Sequence, residues 1–383
     1  MAQRRAFVFG QTLALLAALF ATGCSSTAEH EADGTPRESS AASAPDPRKG
    51  LTAAIEKWVA NLYSPGVRNL RAVMVTVDRE VLVERYWNSS RTATSNTFSV
   101  TKSVTGILTG IALADGSLRG LEQPLSELLT AYSADMTPDV AAITLRQLLT
   151  MTAGLPADGP AGPPDWLYTD DWVGSIIDHG TDQPPGDGFA YSSVTSHLIA
   201  AAVDEATPGG LLDYARERLF DPLDIDTRPA AQPPVTDDPR AIRAYDRATF
   251  AWPTDTRAHN VGFAFIKLTA RDMAKLGQLY LHSGRWDGRQ LVPEDWVQQS
   301  TQRQVTTPRS DLDGYGYQWW TTTVRGHAAF AAMGYGGQLV EVVPDLGLVV
   351  TGSAAVVDDR TPFDSVTLGA LVRDVIVPGI GRR

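Results

Sequence analysis

Cysteine is almost absent: the 383 residues contain one, Cys24. No intrachain disulfide and no cysteine-based metal site can form from it. Lysine is nearly as scarce. There are five (Lys49, Lys57, Lys102, Lys267 and Lys275), so arginine carries most of the positive charge. Positive charge itself is in deficit, with a net charge of −11. An acidic surface repels phosphate backbones, which argues against nucleic acid as a partner. The six histidines show no metal-ligand spacing and no HExxH occurs, so no metal or other cofactor is expected. No Gly-x-Ser-x-Gly is present either, which argues against a nucleophile elbow with a Ser-His-Asp triad. Of the six histidines, His327, near a strand glycine, is the best placed to line a pocket, with a surface or packed side chain as the plainer reading. With 43% hydrophobic and 20% charged residues, the composition is that of a globular protein, not of a disordered tail, a collagen or a coiled coil.

The N-terminus reads as a targeting segment. Arg4 and Arg5 precede an apolar run, Ala6 to Leu19, that is short for a bilayer span and fits a signal sequence. The run ends in Ala21-Thr22-Gly23-Cys24, small residues before a cysteine, as in a bacterial lipobox. Ala21 stands where leucine is commoner. The basic start fits a twin-arginine export signal or a generic signal n-region. The expectation is a signal peptide over 1–23, lipidation at Cys24, and a disordered tether over 24–49 that has too few apolar groups to fold. The globular domain, 50–383, would then be exported and lipid-anchored on the extracytoplasmic side of a bacterial membrane.

Apolar spacing predicts a helix from Leu51 to Leu62. Two strand-like runs, Leu70–Val77 and Glu80–Tyr86, are joined by Asp78-Arg79 and predict a hairpin. A helix is expected over Thr101–Ala114, and helical segments between Pro/Gly loops over about 117–260. Thr269 and Asp272 are spaced as a capping box for a helix running to about His282. Strand texture returns in Tyr315–Val324, Ala328–Ala332, Leu339–Val343 and Gly347–Thr351, before a last helix over about 362–376. Strands at both ends with helices between predict one α/β unit, closed by both termini and carrying a mostly helical insertion.

The chemistry centres on the scarce lysine. Only Lys102 has a serine three residues before it, Ser99. At a helix start that spacing puts both side chains on one face. A serine hydroxyl needs a base, and a neutral lysine can be one. The helix N-terminus adds backbone N–H groups and positive potential for an oxyanion. Downstream, Pro185–Ser193 is a Pro/Gly loop that delivers Tyr191, Ser192 and Ser193 into another helix start. A tyrosine beside a lysine can shuttle a proton, although a core tyrosine with serine caps is the plainer account of that loop alone. Gly334 sits where a strand meets a turn and would permit close approach of a ligand backbone; a bulge or tight hairpin is the alternative. Asp158, Asp165, Asp170 and Asp171 lie with Trp166 and Trp172 in a loop-rich stretch, which could bind a cationic or amide substrate but is more plainly read as a solvated acidic loop. Tyr315, Tyr317, Trp319 and Trp320 are candidates to wall a pocket, with core strand residues as the plainer reading.

Ser99-x-x-Lys102, Tyr191-x-Ser193 and a C-terminal strand Gly334, in that order, resemble the serine β-lactamase/penicillin-binding-protein-like superfamily. Asn96–Val104, Leu148–Leu155, Leu268–Met273 and Gly284–Leu291 are similar to its pattern, so the likeness spans about 55–378. The resemblance implies an antiparallel sheet flanked by helices. It implies Ser99 as acylated nucleophile, Lys102 as its base, and Tyr191 as proton relay. The N–H groups of Ser99 and Tyr335 would form the oxyanion hole, and Ser193, Gly334, Gly336 and Gln338 would meet the substrate. Ser193 stands where many members carry Asn. Lactam-cleaving members have Lys or His two residues before the glycine, and this chain has Ala332. Gly334–Gln338 is more similar to the branch of 6-aminohexanoate-oligomer hydrolases and carboxylesterases. The expected function is a serine hydrolase acting on a small ester or amide. The alternatives are a penicillin-binding D,D-peptidase or β-lactamase, or a non-catalytic cell-surface binding protein on the same fold.

Overall fold

The computed structural model describes residues 47–62, 69–158, 165–356 and 365–381. The expected signal segment and Cys24 lie outside these residues, as does the tether except for its last three positions. Those open the first helix, α1 (Pro47–Leu62). β1 (Leu70–Val77) and β2 (Glu80–Tyr86) pair antiparallel at the expected boundaries, and Asp78 and Arg79 make the turn with φ 47° and 70°. The C-terminal part supplies β3 (Gly314–Tyr315), β4 (Trp320–Val324), β5 (His327–Gly334), β6 (Gln338–Val343) and β7 (Leu348–Ala354). The seven strands run β2-β1-β7-β6-β5-β4-β3, antiparallel throughout. The β1–β7 pairing joins the two ends of the domain, as the strand distribution predicts.

One expected strand is cut. The run 315–324 breaks at 316–319, where Gln318 takes φ 63° and its backbone and side-chain N–H groups both donate to the Leu149 carbonyl. Those donors are satisfied by the helical layer, so they cannot join the ladder.

Both faces of the sheet are covered. Along β6, Leu339 and Val343 join a core with α1 and the C-terminal helices, which begin with α5 (Ser365–Leu371). Val340 and Val342 join the larger core, with α2 (Val100–Ala114) and α4 (Ala270–Leu281). Double burial explains why these strands read as apolar runs instead of alternating ones. The predicted capping box starts α4: Thr269 Oγ1 accepts from Asp272 N, and the Asp272 carboxylate accepts from Thr269 N. α2 is buried from Val100 to Ala112, so it runs through the interior between the sheet and the helical layer. That layer includes α3 (Ser193–Ala206) and shorter helices, interrupted by a two-residue parallel pair, Ala230–Ala231 with Phe250–Ala251. Among the described residues no helix is long and apolar enough to cross a membrane.

The buried Lys267 is structural. Its Nζ donates to the carbonyls of Tyr245, Asp246 and Ala248 at 3.2, 3.2 and 2.7 Å, which closes the C-terminal end of the helix Pro239–Arg247.

Candidate active site

Ser99 is the N-cap of α2 and follows Phe98, whose φ of 46° is rare for a residue with a side chain. Neighbouring bonds hold this turn. Thr97 N donates to the Ile266 carbonyl (2.9 Å), Phe98 N to Asn96 Oδ1 (2.8 Å), and Thr101 N to the Phe98 carbonyl (2.9 Å). Gly334, the last residue of β5, abuts the same turn: a Cβ there would lie 2.3 Å from the Thr97 carbonyl oxygen. Only glycine fits this close approach of the chain to itself. Tyr335 follows, with its ring edge-on to Phe98 at 5.6 Å. Ser99 and Tyr335 are thus brought to one end of the sheet.

Lys102 lies within the first turn of α2 and is 1% exposed. Its Nζ is 3.2 Å from Ser99 Oγ, as the spacing predicts, and 3.1 Å from Ser193 Oγ. The faces of Tyr191 and Phe263 are 4.8 and 5.5 Å away. Among the described residues no carboxylate lies within salt-bridge distance of this nitrogen.

Two loops are laced together to present Tyr191 and Ser193. Ala190 N donates to the Met151 carbonyl (2.8 Å), and Asp158 N to the Tyr191 carbonyl (2.8 Å). Ser192 Oγ donates to the Pro156 carbonyl (2.7 Å) and caps α3 by accepting from Thr195 N. Asp158, read from sequence as part of a solvated loop, is half-buried here. Its Oδ1 accepts from Ser193 N at 2.7 Å and its Oδ2 from Ser193 Oγ at 2.8 Å. No sequence spacing announces this contact across 35 residues. Of the other acids, Asp171 caps the helix Trp172–His179 through Gly174 N, and Asp170 is exposed as expected.

Tyr191 reaches Lys102 with its ring face; among the described residues its hydroxyl makes no hydrogen bond. The ring stacks on Trp320 at 5.3 Å and meets Tyr315 edge-on at 6.2 Å. The expected core aromatics therefore divide. Tyr315 and Trp320 wall the site with Phe189 and Met151, whereas Tyr317 and Trp319 pack into the main core against Trp296 and Tyr280. Gln338 and Gly336 lie close by, after Gly334. Gln338 is buried, with Nε2 donating to the Ala354 carbonyl. Gly336 holds a turn at φ 73°, where a Cβ would meet Val356 at 2.6 Å. His327 begins β5, at the other end from Gly334, and pairs with Asp345 at 2.6 Å, half-exposed.

A Ser–Lys pair at the start of a buried helix, beside an antiparallel sheet with helices on both faces, has the architecture of the β-lactamase-like serine hydrolases. Residues 55–362 match the β-lactamase family, and the chain belongs to it. Among solved structures, a D-stereospecific amidohydrolase from Streptomyces sp. is 19% identical, with 86% of this chain and 99% of that one covered and a TM-score of 0.62. A Bacillus anthracis chain named "putative 6-aminohexanoate-dimer hydrolase" is 18% identical over 82% and 79%, with a TM-score of 0.60. A penicillin-binding protein homologue from Caulobacter crescentus is 18% identical over 81% and 92%, also at 0.60. They share the fold. No curated protein matches the chain.

Proposed function

We propose that this protein is a serine hydrolase that cleaves ester or amide bonds through an acyl-enzyme on Ser99. The observation that carries the reading is Lys102 Nζ, shielded from solvent and 3.2 Å from Ser99 Oγ. Ser99 Oγ attacks the substrate carbonyl carbon while its proton passes to Lys102 Nζ. The oxyanion is held by the backbone N–H groups of Ser99 and Tyr335, beside the positive end of α2. Collapse breaks the carbon–oxygen or carbon–nitrogen bond. The leaving group takes the proton from Lys102, with the Tyr191 hydroxyl as relay. Water then attacks the acyl carbon, gives up a proton to the same base, and frees the acid and Ser99.

Ala332, buried at the position where lactam-cleaving relatives place a cation, supports esters or amides over lactams. The run Gly334–Gln338 supports the 6-aminohexanoate-oligomer hydrolase and carboxylesterase branch. A fluorophosphonate probe should label the folded protein on the peptide containing Ser99 and abolish turnover of p-nitrophenyl butyrate. An unlabelled protein, or an adduct elsewhere, sinks the reading. Acylation of Ser99 by a labelled penicillin at low micromolar concentration would move the substrate class to lactams.

Export and a lipid at Cys24 complete the proposal, the residues after Cys24 acting as a tether between membrane and domain. The mature N-terminal peptide should begin at Cys24 and carry the mass of a lipid. A protein with its first 23 residues still attached rules the anchor out.

A further inference from the structure

The steps above leave unused the carboxylate bonded to Ser193. We infer that Asp158 is a positioning residue: it fixes the direction of the Ser193 hydroxyl and thereby aims the Lys102 lone pair at Ser99. The inference rests on Lys102 being the base for Ser99. An ionised carboxylate only accepts hydrogen bonds. Asp158 takes the Ser193 N–H on one oxygen and the Ser193 Oγ–H on the other, at 2.7 and 2.8 Å. With its single proton committed there, Ser193 Oγ can only accept on its remaining side. Lys102 Nζ, 3.1 Å away, is then obliged to donate. A neutral amine has two N–H groups and one lone pair. One N–H goes to Ser193, and the other has the electron-rich faces of Tyr191 and Phe263 within 4.8 and 5.5 Å. The lone pair is left for Ser99 Oγ at 3.2 Å. A buried carboxylate orders the histidine of a Ser-His-Asp triad in the same way.

The other titratable groups around Lys102 are Tyr191 and, behind it, Tyr315; on the Phe263 side stands the His197–Asp255 pair. Among the described residues none of them bonds to Ser193, so the orientation is set by Asp158.

In Asp158→Asn the amide can donate to Ser193 Oγ, which frees the hydroxyl proton to turn onto Lys102 and occupy its lone pair. We expect kcat for p-nitrophenyl butyrate to fall about 10²-fold, with a much smaller change in KM. Ser193→Ala should show a similar loss in kcat. The double variant should be no slower than Ser193→Ala alone, because Asp158 acts only through Ser193. Wild-type kcat in Asp158→Asn, an effect on KM alone, or losses that multiply in the double variant each overturn the inference. Wild-type kcat in Ser193→Ala does so even if the Asp158 variants fail to fold. Failure of the hydrolase reading is distinguishable, because it shows in the unmodified protein as absent labelling and turnover before any variant is made.

Discussion

Replacing Lys102 with methionine is expected to lower kcat for p-nitrophenyl butyrate by about 10³-fold while holding or raising the melting temperature. The two effects have one origin. Lys102 is enclosed, and among the described residues its nitrogen meets two hydroxyls and two ring faces. No carboxylate offsets a buried charge there among the described residues. A buried amine so sparsely partnered is costly to the fold. Methionine has a similar length, and its thioether packs well against aromatic rings, so the site stays filled. Ser193 keeps its bond to Asp158 after the change. Steady-state kinetics and calorimetry on the same preparation give both readouts. A wild-type rate removes Lys102 as the base. A lost rate with a lower melting temperature would make it a structural residue whose removal distorts Ser99.

Lys267 is the internal contrast. It too is buried, but three carbonyls are arranged around its Nζ at the end of a helix. Carbonyls accept and never donate, so that lysine can only donate. Lys102 faces the Ser99 hydroxyl, which can give or take a proton. The difference between a lysine that closes a helix and one placed to exchange protons lies in the partner atoms, not in burial.

That difference shows what was legible in sequence. The 3.6-residue period is local, so Ser99 and Lys102 could be put on one face from spacing alone, and the Thr269–Asp272 capping box likewise. The hairpin at Asp78-Arg79 was equally local. The break at 316–319 was not, because its hydrogen bonds go to Leu149 on a distant segment. Asp158 was missed for the same reason: its partner lies 35 residues on, across two loops with no periodicity. The aromatics of 315–320 shared one texture in sequence and were divided by the break between them.

The second large effect concerns Glu341, hidden inside what reads as an apolar strand. Alternation along β6 puts it on the same face as Leu339 and Val343, under α1 and the C-terminal helices. It is 2% exposed, its Oε2 has no hydrogen-bond partner, and the nearby Arg373 is paired with Asp374 instead. Burial pushes its pKa up to about 8 from an ordinary 4.5, and the charge of Arg373 pulls it back only in part. The folded protein therefore holds this carboxyl protonated over a range where the unfolded chain has released the proton. An acid raised on folding costs nothing below its unfolded pKa, and the cost grows as pH climbs until the folded pKa is reached. Glu341 should thus destabilise the fold progressively from about pH 4.5 to about pH 8, by roughly 3 kcal/mol at pH 7 as a ceiling. Glu341→Leu, close in volume and apolar like its neighbours, should remove that loss. Its melting temperature should be near that of the parent around pH 5 and exceed it by several degrees around pH 8. A difference that stays constant across this range would show that Glu341 does not hold its proton in the folded state.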